Sequence, residues 1–212
     1  MTKKNHVKSA GFWDRIAEKY AAQPIKDVPA YEKTMEITRA RLKPIDKVLE
    51  LGAGTGSTAL LLAGDVSHYT ASDISENMTS IGRRKAEDAG VDNISFIAAS
   101  TDDERLSSGA PYDAVLAFNL LHLIEDAEHT MQRVADLLKP GGFFISKTVC
   151  LGDKKGILGL MIPVLQFFGK APFVQYFKST DVDQLITNAG FEILETGAYP
   201  PPRSHLIVSR KR

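Results

Sequence analysis

The feature of the chain that most constrains its fold is a glycine-rich turn within residues 48–64, VLELGAGTGSTALLLAG. Glycines stand at positions 52, 54 and 56, directly after a short, mostly apolar run and directly before a helix-forming one. Glycine loses more backbone entropy on folding than any other residue, so three at alternate positions indicate that another group approaches the main chain closely. The amides of such a turn, together with the following helix N-terminus, can hold an anionic or zwitterionic group.

Short β-rich runs alternate with amphipathic helical runs along the chain. This alternation predicts an α/β fold with a doubly wound, mostly parallel sheet that helices cover on both faces. The predicted strands are Lys47–Leu51, His68–Asp73, Ile94–Ala98, Tyr112–Phe118, 142–149, 191–195 and 205–209. In such sheets ligands bind beyond the carboxyl ends of the strands, where the strand order reverses. The glycine-rich turn follows Leu51 and therefore occupies that position.

Two helices near the end of the chain are predicted from apolar spacing. Residues 131–138 carry Met, Val, Ala and Leu at helical intervals, and Pro140 with the two glycines after it predicts where that helix ends. Residues 182–189 repeat the spacing. Thr180 and Asp183 are predicted to form the capping box of this second helix, and the glycine at position 190 is predicted to end it.

Asp73 ends the predicted second strand, 21 positions after Gly52. A carboxylate at that place can accept hydrogen bonds from both hydroxyls of a ribose; the alternative is an ordinary acid at a loop or helix start. A nicotinamide dinucleotide would call for G-x-G-x-x-G with a third glycine at position 57, where the chain has Ser57. The pattern G-x-G-x-G therefore disfavours a nicotinamide-dependent oxidoreductase.

Composition excludes several classes of protein. The chain has 212 residues, the size of one domain, and 26 basic and 26 acidic residues, so a broadly basic nucleic-acid-binding surface is not expected. Its single cysteine, Cys150, permits no disulfide framework and fits a reducing compartment. We find neither a signal-peptide core nor an apolar run of membrane-spanning length, and we expect a cytoplasmic protein.

Five motifs occur in the order that is typical of one enzyme family. They are VLELGAGTG, SDISENM, YDAVLAFNLLH, LKPGGFFI and AGFEI, and they cover about residues 47–191. In these motifs the chain resembles the class I S-adenosylmethionine (SAM)-dependent methyltransferases, in the small-molecule, ubiquinone-biosynthesis-like branch. The resemblance implies a seven-stranded sheet whose last strand is antiparallel, SAM as the cofactor and S-adenosylhomocysteine (SAH) as the product.

The resemblance also implies roles for the motif residues. The glycine-rich turn would lie along the methionine end of the cofactor, Glu50 would organise the turn and the ammonium group, and Asn119 would offer its carbonyl to that ammonium. Asp73 would hold the ribose. The family commonly has an adenine-binding Asp after the third strand, whereas this chain has Ser100 and Thr101, so Ser100, Asp102 or the backbone would take that role. The predicted cofactor-binding residues are Glu50, Gly52, Ala53, Gly54, Gly56, Asp73, Ile74, Met78, Ser100, Thr101, Asn119 and Leu120.

Three residues are candidates for positions near the molecule that would accept the methyl group. His122 is the candidate general base, since an ordinary pKa of about 6.5 suits proton removal; packing or capping at a helix start is the alternative. In similar enzymes an N-terminal helix closes over the cofactor and places an aromatic residue near the methyl group. Tyr20 and Trp13 are the candidates in this chain, and packing of the helix on the body is the alternative. No metal site is predicted, because the H-E-x-x-H spacing is absent from the group formed by His122, Glu125, Asp126 and His129.

An apolar segment at residues 156–169 follows the fifth strand and has lysines on both sides. It is too short to span a membrane and too apolar to remain uncovered in water. We predict a lid whose Phe167 and Phe168 contact an apolar acceptor; a homodimer surface and peripheral contact with a membrane are the alternatives. The predicted parts of the single domain are a helical cap (1–44), a cofactor-binding core (45–150), this insertion (151–179) and a C-terminal helix with strands (180–212).

The function predicted from these observations is transfer of the SAM methyl group to a small, apolar or aromatic acceptor. The Asn/Asp-Pro-Pro-aromatic motif that the resemblance would associate with methylation of DNA bases or glutamine is missing, because Asn119 is followed by Leu-Leu-His. A non-catalytic module that binds SAM or SAH is the second hypothesis, and an NAD(P)-dependent oxidoreductase is the third.

Overall fold

The structure is a computed structural model that describes residues 3–153, 166, 171–201 and 204–212. Most of the predicted apolar lid, including Phe167 and Phe168, lies outside the described residues, as do Lys154, Lys155 and Lys170. Within the described part, no helix is both long and apolar enough to cross a membrane.

Seven strands of the described chain form one sheet in the order β3-β2-β1-β4-β5-β7-β6. Strands β1 to β5 are parallel to one another, whereas β7 runs antiparallel to both β5 and β6. The predicted α/β sheet with an antiparallel last strand is therefore confirmed. The strands are β1 (Lys47–Leu51), β2 (His68–Asp73), β3 (Ile94–Ala98), β4 (Tyr112–Phe118), β5 (Leu138–Val149), β6 (Phe191–Gly197) and β7 (Ser204–Lys211).

Helices cover both faces of this sheet. The α-helices with described bounds are α1 (Lys3–Ala21), α2 (Val28–Arg39), α3 (Ser57–Leu62), α4 (Glu76–Asp88), α5 (Ala127–Leu137) and α6 (Ser179–Asn188). Short 3₁₀ helices lie at Ala63–Asp65, Glu104–Gly109, Leu121–Leu123 and Leu151–Asp153. One face of the sheet packs against α2 and α3 and the other against α5 and α6, because neighbouring strand residues such as Val48 and Leu49 point to opposite faces and both are fully buried.

The predicted end of α5 is wrong by one residue, and β5 begins four residues before the predicted start. Leu138 has the spacing of a helical residue, but its backbone is extended (φ −90°, ψ 146°) and it pairs with Tyr112 of β4. The register then shifts before Ala114 pairs with Phe143, and Gly141 within this shift has φ +76°. The turn signal at residues 140–142 therefore marks an irregularity inside a strand.

The predicted capping box of α6 is also wrong. The helix begins at Ser179, so that Thr180 lies inside it, and the carboxylate of Asp181 accepts the N–H of Lys178 at 2.8 Å. Asp183 instead contacts the C-terminal strand, with 2.8 Å between its Oδ1 and Nε2 of His205. The predicted end of this helix is confirmed, since Gly190 has φ +90° directly after it.

Candidate functional site

The glycine-rich turn leaves β1 and enters α3 with left-handed backbone at all three glycines. The φ values of Gly52, Gly54 and Gly56 are +68°, +54° and +75°. A Cβ at Gly52 would lie 2.8 Å from Cδ1 of Leu120, whereas a Cβ at Gly54 would meet only Cε1 of Tyr20, at 3.8 Å. The turn is therefore bare at Gly54, where a ligand could reach the main chain.

Asp73 holds this turn to the end of β2. Its Oδ2 accepts the N–H of Gly54 and its Oδ1 accepts the N–H of Ser75, both at 2.9 Å. Burial raises the pKa of Asp73, and these two N–H bonds hold back part of the rise. A carboxylate has about four acceptor positions, so two bonds leave capacity for ribose hydroxyls.

Glu50 lies beneath the turn and is 3% exposed. One carboxylate oxygen accepts the hydroxyl of Tyr69 at 2.9 Å, and its backbone carbonyl accepts the hydroxyl of Ser72 at 3.0 Å. Burial raises the pKa of Glu50 from 4.5 to about 7, and the charge of Asp73 adds to the rise. An ammonium group nearby would favour the charged form of this carboxyl.

The raised pKa predicts a pH-dependent stability. An acid whose pKa is higher in the folded state stabilises the fold most at low pH, and this contribution is lost as the pH rises from about 4.5 through about 7. In the wild type, we expect the free energy of unfolding to fall by at most about 3 kcal/mol between pH 5 and pH 8 because of this group. Glu50→Gln should abolish that decrease. Urea unfolding at several pH values measures this, with the exposed Glu87→Gln as control. Equal pH slopes for the wild type and Glu50→Gln would contradict it.

A cleft with about 820 Å³ of empty space, part of it open to solvent, crosses the carboxyl ends of β3, β2, β1 and β4. The cleft is lined by Ser9, Trp13, Tyr20, Gly52, Gly54, Ser72, Asp73, Ile74, Met78, Ala99, Ser100, Thr101, Phe118, Asn119, Leu120, Leu123 and Ile124. The structure thus brings together nine of the predicted cofactor-binding residues with Trp13 and Tyr20. Glu50, Ala53 and Gly56 are not among the lining residues; Glu50 and Gly56 are buried behind the turn, whereas Ala53 is half-buried.

The end of β4 is held in a strained conformation. Asn119 has φ +55°, which is uncommon for a residue other than glycine. Its N–H donates to the carbonyl of Lys147 at 2.6 Å, which fixes the chain as it leaves the sheet. Strain of this kind tends to occur at functional sites, because the surrounding structure must maintain it.

Ser100 and Thr101 line the far end of the cleft, after β3. The Ser100 hydroxyl donates to Oδ1 of Asp102 at 2.6 Å, and the Thr101 hydroxyl lies 3.2 Å from that of Thr130. Because the proton of Ser100 points to Asp102, its oxygen still has a lone pair with which to accept the adenine amino group. Asp102 itself is not among the lining residues.

Helix α1 lies over the cleft and is anchored to α4. Oδ1 of Asp14 accepts the hydroxyl of Ser75 at 2.6 Å and the N–H of Asn77 at 3.1 Å. Trp13 and Tyr20 meet edge to face, with 6.3 Å between ring centroids. Tyr20 is 48% exposed, and its partial burial, followed by the charges of Asp73 and Glu50, raises its pKa. Its hydroxyl therefore stays protonated at neutral pH.

His122 differs most from its predicted description. It lies in the 3₁₀ helix Leu121–Leu123 and is not among the residues that line the cleft. Burial lowers its pKa from 6.5 to about 4, which is below the ordinary value from which its role as a base was predicted. Its buried Nδ1 has no hydrogen-bond partner in the described part of the chain. Such a histidine is neutral at physiological pH and accepts protons weakly.

Several lining residues were not identified from the sequence. Phe118, Leu123 and Ile124 supply apolar surface at the β4 end, and Ser9 supplies a hydroxyl from α1. Phe118 could have been found, since it is the last residue of a predicted strand and precedes Asn119. Among the described residues, no group of three or more His, Cys, Asp or Glu side chains is arranged to hold a metal ion.

The site and the sheet define the class of protein, and comparison with known proteins identifies the family. Residues 13–196 match the family described as a methyltransferase domain, which is most of the chain. The chain belongs to this family and is a class I SAM-dependent methyltransferase, as its motifs predicted.

Individual relatives agree with this assignment. The chain is 24% identical to a ubiquinone biosynthesis O-methyltransferase of Xanthomonas axonopodis pv. citri (strain 306) over 100% of its own length and 95% of that enzyme. Magnesium protoporphyrin IX methyltransferase of Synechocystis PCC 6803 with bound SAH is 20% identical, with a TM-score of 0.70 over 99% of this chain and 98% of that one. The DhpI–SAH complex is 19% identical, with a TM-score of 0.73 over 100% and 98%. The last two likenesses show the shared fold.

Proposed function

We propose that this methyltransferase binds SAM across the cleft and transfers its methyl group to a small, apolar or aromatic acceptor by in-line displacement. The observation that carries the proposal is the cleft itself, which joins the bare turn at Gly54, the carboxylate of Asp73 and an apolar end at Phe118. The ribose bonds to Asp73, Ile74 and Met78 flank the adenine, and Ser100 or Thr101 accepts its amino group. The methionine end then lies along the turn toward Asn119 and Leu120.

The chemistry that the chain must supply is modest. The sulfonium methyl is an activated electrophile, so alignment and exclusion of water supply most of the rate, on the order of 7–11 kcal/mol. Trp13 and Tyr20 cover the cleft from α1 and exclude water there. The role of His122 as a general base remains a prediction; with a pKa lowered to about 4, the side chain would be a weak base.

The acceptor class follows from the surface at the β4 end of the cleft. Phe118, Leu120, Leu123 and Ile124 present apolar groups there, which favours an apolar or aromatic molecule. The relative named for O-methylation in ubiquinone biosynthesis supports oxygen as the attacking atom. Contacts of Phe167 and Phe168 with the acceptor are part of this proposal.

Thermal unfolding with SAH, and separately with NADH, tests the cofactor assignment. A ligand at about 100 times its dissociation constant stabilises the folded state by roughly 2.7 kcal/mol, which for a chain of this size raises the midpoint by several degrees. We expect this rise with SAH only. A rise with NADH only would contradict the proposal. A methyl-transfer screen with acceptors then separates an enzyme from a non-catalytic SAH-binding module.

A further inference from the structure

Lys147 is a buried lysine near the carboxyl end of β5, and the residue as a whole is 8% exposed. Its Nζ lies 3.4 Å from Oγ1 of Thr34 on α2. The Thr34 hydroxyl donates to the carbonyl of Ala30 at 2.8 Å, so its oxygen is the acceptor in the contact with Lys147. An ammonium has three N–H donors. One of them makes this long bond, and the other two have no hydrogen-bond partner among the described residues.

The charge of Lys147 is also unpaired within the described ranges, where no carboxylate lies within 4.0 Å of its Nζ. Asp27 is the acidic group whose charge acts on it, and the carboxylate of Asp27 already accepts the N–H of Ala30 at 3.0 Å as the cap of α2. Burial lowers the pKa of Lys147, and Asp27 offsets part of that effect. A buried ammonium without a paired anion is costly, so an anionic group that reached Lys147 would be bound favourably there.

Lys147 stands on the strand next to the β4 end of the cleft, although it is not itself among the lining residues. It is paired in parallel register with Phe118, so the two side chains point to the same face of the sheet, and Phe118 lines the cleft. The cleft crosses β3, β2, β1 and β4, and β5 is the next strand. If the adenosine binds at Asp73 as proposed above, the sulfonium would lie toward β4 and the acceptor would reach it from the side of β5.

We propose that the Lys147 ammonium binds an anionic oxygen of the acceptor, so that the substrate class is an apolar molecule that carries a carboxylate or a phenolate. This inference rests on the function proposed above. The two N–H donors of Lys147 that remain unused among the described residues supply charge-assisted hydrogen bonds, and the apolar surface at Phe118 packs against the rest of the acceptor.

Binding of paired probes to the SAH-saturated protein tests the proposal. Benzoate and benzamide form one pair, and 4-nitrophenolate and nitrobenzene form the other; calorimetry at pH 8 measures each dissociation constant. We expect the anion of at least one pair to bind about tenfold or more tightly than its neutral partner. The pair that shows this preference tells whether the acceptor carries a carboxylate or a phenolate.

Lys147→Met is expected to abolish the preference and to raise the unfolding midpoint of the ligand-free protein, because it replaces an unpaired buried charge with an apolar chain. Lys139→Met is the matched control, since Lys139 lies on the same strand but pairs with Asp113 at 2.6 Å; it should keep the preference. Both variants should bind SAH as the wild type does. The proposal would be overturned if the wild type bound the anion and the neutral probe of both pairs equally, if it bound neither pair, or if the preference survived in Lys147→Met. Failure of the wild type to bind SAH would instead refute the function on which the proposal rests.

Discussion

Gly54→Ala is expected to weaken SAH binding about tenfold to hundredfold while the protein stays folded. The added Cβ would meet no atom of the described chain closer than Cε1 of Tyr20, at 3.8 Å, so it projects into the cleft and not into the packed interior. A methyl group forced against a ligand in close contact costs about 1–3 kcal/mol, which corresponds to this range of affinities. Calorimetric titration with SAH measures the change.

Gly90→Ala provides a matched control. Gly90 has φ +64° in the turn after α4, against +54° for Gly54, and a Cβ there would have no neighbour within 4 Å. Both substitutions therefore carry the same cost of a left-handed alanine, about 1–2 kcal/mol of stability. Only Gly54→Ala should lose affinity for SAH. If both variants kept wild-type affinity, the main chain at Gly54 would not be the surface that the cofactor approaches.

The parallel strands could be predicted from the sequence because burial on both faces leaves a simple pattern. The bounds of β1, β2, β3 and β4 are the predicted ones, since each is a short β-rich run between polar or glycine-containing turns. The start of β5 could not be predicted in the same way. Pro140 and Gly141 indicate a turn locally, and only pairing with β4 reveals that Leu138 already belongs to the strand.

The location of the cleft could be predicted because its residues follow the carboxyl ends of predicted strands. Motif order placed the glycine-rich turn, Asp73, Ser100 and Asn119 at the same edge of the sheet, and the structure gathers all four elements around one cleft. The positive φ of Asn119 could not be predicted from its residue type alone, because asparagine adopts this conformation more often than most residues but does not require it. In the structure its N–H donates to the carbonyl of Lys147 on β5.

Electrostatic properties were the least predictable part of the site. The low pKa of His122 and the raised pKa of Glu50 both come chiefly from burial by segments distant in sequence. Lys147 stands in the run FFISKTVC, where one lysine among apolar residues gives no sign of which face it occupies. Its unpaired charge becomes visible only when α2 and β4 are in place.

Asp73→Asn is expected to weaken SAH binding by about 1.5–3 kcal/mol for each ribose hydroxyl that loses a charge-assisted bond. The carboxylate also holds Gly54 and Ser75 at 2.9 Å, so a loss of affinity could arise from a displaced turn as well as from a lost contact. Asp88→Asn, on the exposed end of α4, controls for the change of charge.

The measurement that separates these causes compares SAH with its analogue lacking both ribose hydroxyls, in the wild type and in Asp73→Asn. If Asp73 binds the ribose hydroxyls of the adenosyl group beside the glycine-rich turn, removing the hydroxyls weakens binding to the wild type by about tenfold or more. The same change has little further effect in Asp73→Asn. An equal loss in both proteins, or no loss in the wild type, would show that the ribose binds elsewhere and would contradict the account.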